Sequence, residues 1–192
     1  MSFGFLSPVD EIEMAICHAY TNRVLMLAAA GNCGANASPA WPASSPLVIC
    51  VHAATGMGNR YRTTPTRKKY ASNFATLGAA VSSWWPGNLG LGVKVRKSGT
   101  STATPVLAAI AATIMAVVRQ PERVRSERDS EKLKSLGRAD RMEAVLRRMA
   151  SQNGKREGYD YIAPWEILDA SLDQYTHPNT IVDNILRDLT RF

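Results

Sequence analysis

Apolar positions in this chain fall into runs of different period, and the runs change along its length. Val24 to Ala30 and Leu47 to Ala54 are continuous apolar stretches, the pattern of strands covered on both faces. Ahead of them, Met1 to Phe5 reads as a short strand and Pro8 through Tyr20 as a helix. Pro8 is tolerated in a first turn, Asp10, Glu11 and Glu13 suit the positive helix end, and Ile12, Ala15, Ile16 and Tyr20 share one face. Strand, helix, strand, loop, strand predicts an α/β fold with a parallel sheet. Gly56 to Lys69 is a polar, basic connection, and Asn73 to Gly87 alternates apolar residues with Gly, Ser and Pro, as short strands and turns do. From Ala103 to Val118 nearly every residue is apolar, which places a helix in the middle of a core.

The pattern changes again at Arg119. Residues 119–130 read as a charged linker and residues 131–192 as a helical tail. Within that tail, Arg141 to Met149 and Thr180 to Leu189 are amphipathic, and Asn179 is placed to cap the last helix after Pro178. An aromatic cluster of Tyr159, Tyr161 and Trp165 lies between them. The strands encoded here make about half of a sheet of this kind. A parallel strand needs neighbours, so a missing N-terminal half or a second chain is expected to complete it.

Composition narrows the setting. At 192 residues with 45% hydrophobic and 20% charged side chains, the chain is ordinary for a globular protein. Cys17, Cys33 and Cys50 have no paired spacing, so neither a disulfide framework nor a metal signature is expected, and a reducing, cytoplasmic setting is. No secretory signal is legible at the N-terminus, and the run Val106 to Val118 is too short to span a bilayer, so no membrane partner is expected. Net charge is +7. The basic stretches Arg60 to Lys69 and from Arg119 raise nucleic acid as a partner. Acids interspersed in the second stretch, and the absence of a recognised binding motif, set that partner aside. No acidic cluster points to calcium, Gly56-Met57-Gly58 lacks the rest of a nucleotide loop, and no cofactor is expected.

Two residues sit where chemistry could happen. Ser101 lies in Ser98-Gly99-Thr100-Ser101-Thr102-Ala103-Thr104-Pro105, where a glycine turn meets the apolar helix. A helix N-terminus offers positive potential and free N–H groups to a developing oxyanion, although Ser and Thr are equally the residues that cap helices. Asn32 ends a buried strand in Ala28-Ala29-Ala30-Gly31-Asn32, at the carboxyl end where open α/β sheets gather ligands. A turn Asn beside Gly is the plainer alternative there.

Taken together, Met1-Ser2-Phe3-Gly4, Ala28 to Asn32, the Pro-rich loop into Trp41-Pro42, the strand Leu47 to Val51 and Gly99 to Pro105 resemble the subtilisin-like serine peptidases in order and spacing, over about residues 1–118. The resemblance implies an acyl-enzyme nucleophile at Ser101 and an oxyanion hole from the Asn32 side chain and the Ser101 N–H. It implies a peptide or protein substrate. Ser2, Phe3 and Gly4 would pair with extended substrate, and Ala29, Ala30 and Gly31 would form a pocket wall. Trp41 and Pro42 would sit at that pocket with a cis bond, and Gly99 and Thr100 would flank the nucleophile. Thr102 stands where the family usually has Met. The tail, with Lys132 to Ser135, Leu146 to Met149 and Gly158 to Trp165, resembles the region after the peptidase domain in intracellular subtilase-like proteins of filamentous fungi.

The family's Asp and its His-Gly-Thr motif would precede Met1 and are expected to be missing. His18, within the first helix, and His52, within a buried strand, read as structural, and His177 as an exposed turn residue. Serine is a poor nucleophile until a base removes its proton, so the chain by itself is expected to be nearly inactive. A non-catalytic peptide-binding module is the second reading. Cys33, beside Asn32, has no evident basic neighbour and reads as inert.

Overall fold

The computed structural model describes residues 1–69, 71–84, 94–119, 126–151, 155–164 and 178–189. Its centre is a five-stranded sheet formed by β1 (Leu27–Ala29), β2 (Ile49–Ala54), β3 (Phe74–Leu77), β6 (Lys155–Arg156) and β7 (Tyr159–Tyr161), in the order β1-β2-β3-β7-β6. The first four strands in that order are parallel, and β6 closes the edge antiparallel to β7. A separate antiparallel ribbon pairs β4 (Val81–Trp84) with β5 (Lys94–Lys97). The α/β reading therefore holds.

Successive strand residues point to opposite faces, and the core divides accordingly. Ile49, Val51, Ala53 and Phe74 face α2 (Thr100–Val118), meeting Ala103, Leu107, Ile110 and Ile114. Ala28, Ala30 and Cys50 face the other way, toward Ile16 of α1 (Asp10–Thr21) and Trp41. Both faces of β2 are thus buried, which is why its sequence carries no polar alternation.

Only half of α2 is covered. Its inner stripe packs on the sheet, while Pro105, Ala109, Ala112 and Ala116, at helical spacing on one line below Ser101, are exposed. The uniformly apolar sequence predicts burial all round, and among the described residues nothing lies over this side. Beyond β1 the sheet is equally bare among the described residues. Of these, Met1 alone flanks it, its amino group donating to Leu27 O at 2.6 Å and its carbonyl accepting Ala29 N–H at 3.0 Å. Met1 to Phe5 forms no strand; apart from Met1, its backbone pairing among the described residues is the bridge from Phe5 to Trp41. A groove of about 260 Å³ opens between this edge and α2, lined by Met1, Leu25, Leu27, Thr104 and Ala108 among others.

The C-terminal third differs from a purely helical tail. Residues 127–130 of the expected linker begin α3 (Glu127–Lys134), whose N-terminus Ser126 caps by accepting Asp129 N–H. A 3₁₀ turn at Ser135–Gly137 leads into α4 (Ala139–Ser151), and α5 (Pro178–Leu189) starts at Pro178 rather than after Asn179. Proline suits a first helical position because its absent N–H would have no partner there. Tyr159 and Tyr161 belong to β7, which takes the slot beside β3; Trp165 and His177 lie outside the described residues. Leu133, Leu136, Met142, Val145, Leu146 and Ile185 share one cluster with Leu107 and Phe74.

Candidate active site

The carboxyl ends of β1 and β3 and the start of α2 meet at one place. Gly99 precedes α2 with φ +140°, a conformation that side chains rarely adopt. Its N–H donates to Gly78 O at 2.8 Å, tying the turn to the end of β3. Thr100 then reaches β1: its backbone N–H donates to Asn32 Oδ1 at 2.9 Å, and its hydroxyl exchanges hydrogen bonds with the Gly31 N–H and carbonyl, both at 3.1 Å. A side chain on Gly99 would put its Cβ 2.9 Å from Asn32 Oδ1. Glycine is therefore what allows the carboxamide to lie against the helix start.

With Oδ1 held by Thr100, the amide hydrogens of Asn32 have no acceptor among the described residues, and the residue is exposed. Ser101 is exposed too, in the first turn of α2, where a backbone N–H has no intrahelical acceptor. Thr102 and Ala103 bond back to Gly99 O, and the Thr102 hydroxyl anchors to Gly78 O at 3.0 Å. Two unused donors of different origin thus stand beside one exposed hydroxyl. Such a constellation can hold an oxyanion.

The segments singled out as substrate-binding converge here as well. Ser2 Oγ reaches Ser101 O at 3.4 Å. Gly4 packs against Ala40, Phe5 and Trp41 exchange backbone hydrogen bonds of 2.7 and 3.0 Å, and Ala40 N–H donates to Ala30 O at 2.9 Å. The Trp41–Pro42 bond is cis, and Trp41 is buried against Ala28 and Ala30. Phe3, with its edge on Phe5 at 5.9 Å, stays half-exposed.

Three contributors were not legible in sequence. Thr63 donates its hydroxyl to Asn32 Oδ1 at 3.4 Å, Gly78 holds the Gly99 turn, and Tyr61 shares a hydrogen bond with Ser98 that lowers its phenol. Thr63 and Tyr61 come from the basic connection after β2, whose composition marks it only as a loop.

No histidine or carboxylate is hydrogen-bonded to Ser101 among the described residues. His52 is fully buried on the sheet face opposite α2, since it alternates with Val51 and Ala53. Burial, helped by the nearby Lys68 charge, lowers it to about 4, so it is neutral; Cys50 Sγ stands 3.6 Å from its Nε2 and the Tyr159 ring meets it at 5.0 Å. Burial pushes the Cys50 thiol up to about 12. His18 is exposed on α1, also across the sheet. Cys33 is exposed and free, and the described residues hold no cluster of metal ligands.

The class of protein this defines is a parallel α/β fold with an exposed serine in the first turn of its central helix and an asparagine bonded to that turn. Comparison with known proteins narrows it. The model of the subtilase family matches residues 1–161, and the chain belongs to that family. Subtilisin-like protease 2 of Arthroderma otae is 34% identical over 121 residues, covering 59% of this chain and 26% of that protein. The S41 psychrophilic protease is 30% identical over 60% of this chain and 41% of its own, with a TM-score of 0.52. The fold alone is shared with the protease domain of PatA, in its S218A mutant, at 20% identity and a TM-score of 0.66 over 97% of this chain. This chain thus spans about a quarter of the curated relative and about two-fifths of the S41 protease. The family match runs through β7, past the boundary that composition alone places near residue 118.

Proposed function

We propose that this chain carries the nucleophile and oxyanion part of a subtilisin-like serine endopeptidase site. Ser101 Oγ attacks the carbonyl of an extended peptide seated between Ser2–Gly4 and Gly99–Ser101. The carbonyl oxygen, as it gains charge, takes hydrogen bonds from the Asn32 amide and the Ser101 N–H, and the amine leaves from the acyl-enzyme. The observation that supports this reading is the bond from Thr100 N–H to Asn32 Oδ1, which holds the carboxamide against the start of α2 and leaves its amide hydrogens without an acceptor among the described residues.

The base that takes the serine proton and the acid that orients it come from outside the described residues. Support for this lies in two bare surfaces: the outer edge of β1 and the exposed line Pro105, Ala109, Ala112 and Ala116, which leads straight to Ser101. A strand added to β1 and a helix laid on that line would cover both and bring a side chain to the nucleophile. Such a segment is either an N-terminal half of the same protein or a second chain.

Incubation of the folded chain with a fluorophosphonate, with imidazole added as the base and the label located by mass spectrometry, tests the assignment. The label goes to Ser101 and is absent from Ser101→Ala. Labelling of another serine at equal rate in both proteins would sink it.

A further inference from the structure

The basic connection after β2 contains the run Thr63-Thr64-Pro65-Thr66. A threonine hydroxyl both donates and accepts, so in a loop it can stand in for a backbone partner. Thr64, fully buried, uses its hydroxyl on β2, donating to Ala53 O at 2.9 Å and accepting Ala53 N–H at 3.2 Å. Tyr61 N–H joins it on Ala53 O at 2.9 Å. The flanking threonines bond instead to the turn that carries Asn32. Thr63 grips that turn at two points, its carbonyl accepting Gly34 N–H at 2.9 Å and its hydroxyl donating to Asn32 Oδ1 at 3.4 Å. Thr66 N–H donates to Ala37 O at 2.9 Å, and its hydroxyl donates to Ala35 O.

Pro65 offers only a carbonyl, and the group that takes it comes from the C-terminal part of the chain. The Tyr159 hydroxyl donates to Pro65 O at 2.6 Å, in a buried bond that spans 94 residues of sequence. The phenol oxygen in turn accepts the Arg67 N–H and an N–H of the Arg60 guanidinium. Arg60 also meets Glu157 at 3.4 Å and donates to Thr64 O at 3.3 Å. Tyr159 itself is held in β7, with its ring against His52 at 5.0 Å. The β6–β7 hairpin therefore bonds to the same short run that bonds to the Asn32 turn.

Loops move more than the elements they connect, whereas an oxyanion donor has to be in place before charge develops. Asn32 lies on an exposed turn after β1, and the Thr63–Thr66 run ties that turn to β2 and β7. We propose that Tyr159 and Thr63 are positioning residues for Asn32. Tyr159 fixes Pro65, Pro65 sets Thr63, and the Thr63 hydroxyl settles the tilt of a carboxamide whose orientation Thr100 N–H has already chosen. Tyr159 is 4% exposed, so it acts through the loop and not on a substrate. This rests on the peptidase reading of Ser101 and Asn32, and it gives the C-terminal hairpin a part in the rate of acyl transfer.

The test is the rate of fluorophosphonate labelling at Ser101 in the full chain, with imidazole as base, for Tyr159→Phe and Thr63→Val, each made also in an Asn32→Ala background. A second readout is the pair of Asn32 side-chain amide signals in an NMR spectrum, assigned by their loss in Asn32→Ala. Tyr159→Phe keeps the ring on His52 and removes only the hydroxyl; Thr63→Val keeps the branched shape. Each is expected to slow labelling about three- to tenfold, the scale of one hydrogen bond, and to shift the Asn32 amide signals. In the Asn32→Ala background the same substitutions change the rate by about twofold or less, because the group they position is gone. A general loss of folding would slow both backgrounds alike. Slowing that persists undiminished without Asn32, or wild-type rates and amide signals in either variant, would overturn the proposal. Labelling of Ser101 that neither variant alters defeats the positioning role and leaves the nucleophile standing. Shifted amide signals without any labelling of the wild type contradict the peptidase reading and not the bracing of Asn32.

Discussion

Asn32 Oδ1 accepts the backbone N–H of Thr100 at 2.9 Å, across 68 residues of sequence. That bond settles which end of the carboxamide is engaged and which is available to a ligand. It also explains Gly99, because the space a Cβ would need is the space the carboxamide occupies. Gly99→Ala is therefore expected to cost about 1–3 kcal/mol through its φ of +140°, read as a shift in urea midpoint at unchanged slope. It should also displace Asn32 and slow labelling of Ser101. A variant as stable and as reactive as wild type would contradict the packing described.

The helices after α2 are seated on the N-terminal part rather than tethered to it. A Cβ on Gly137 would come 2.0 Å from the carbonyl oxygen of Arg23, far inside contact distance. Gly137→Ala should destabilise the whole chain by about 1–3 kcal/mol, the range for forced overpacking. A single cooperative unfolding transition that moves down intact is the expected result. Loss of helix without any change in the rest would show that the two parts fold separately.

His52 makes stability depend on pH. Its neutral form is buried and its folded value is lowered to about 4 from 6.5. Between those values the unfolded chain binds the proton and the folded chain does not. Stability is therefore full above about pH 6.5 and falls as pH drops toward 4, by at most roughly 3 kcal/mol. Lys68 faces the same group and deepens the effect. Denaturation midpoints across this window, compared with His52→Leu, isolate the contribution. Parallel curves for the two proteins would refute it.

Much of the sheet is legible in sequence because β1 and β2 are apolar on both faces, a pattern that few other structures produce. Ser101 and Asn32 become legible only together, through the order of segments shared with a family; each alone reads as a cap or a turn. β7 is hidden because three residues, Tyr159–Tyr161, carry too short a pattern to distinguish a strand from an aromatic loop, and its partner β3 lies more than eighty residues earlier. The bare side of α2 is hidden for another reason. Its Ala and Pro residues read as core, and composition cannot say whether the element that would bury them is at hand.

The central claim is that Ser101 and Asn32 form one site whose base and orienting acid come from outside the described residues. Imidazole can supply a base in solution, so the measurement is the rate of fluorophosphonate labelling at Ser101 against imidazole concentration, in wild type and Asn32→Ala. The account predicts a rate that rises with imidazole, vanishes in Ser101→Ala, and drops about 100-fold in Asn32→Ala, the scale found for loss of that donor in subtilisin itself. A rate indifferent to imidazole and to Asn32 would contradict it.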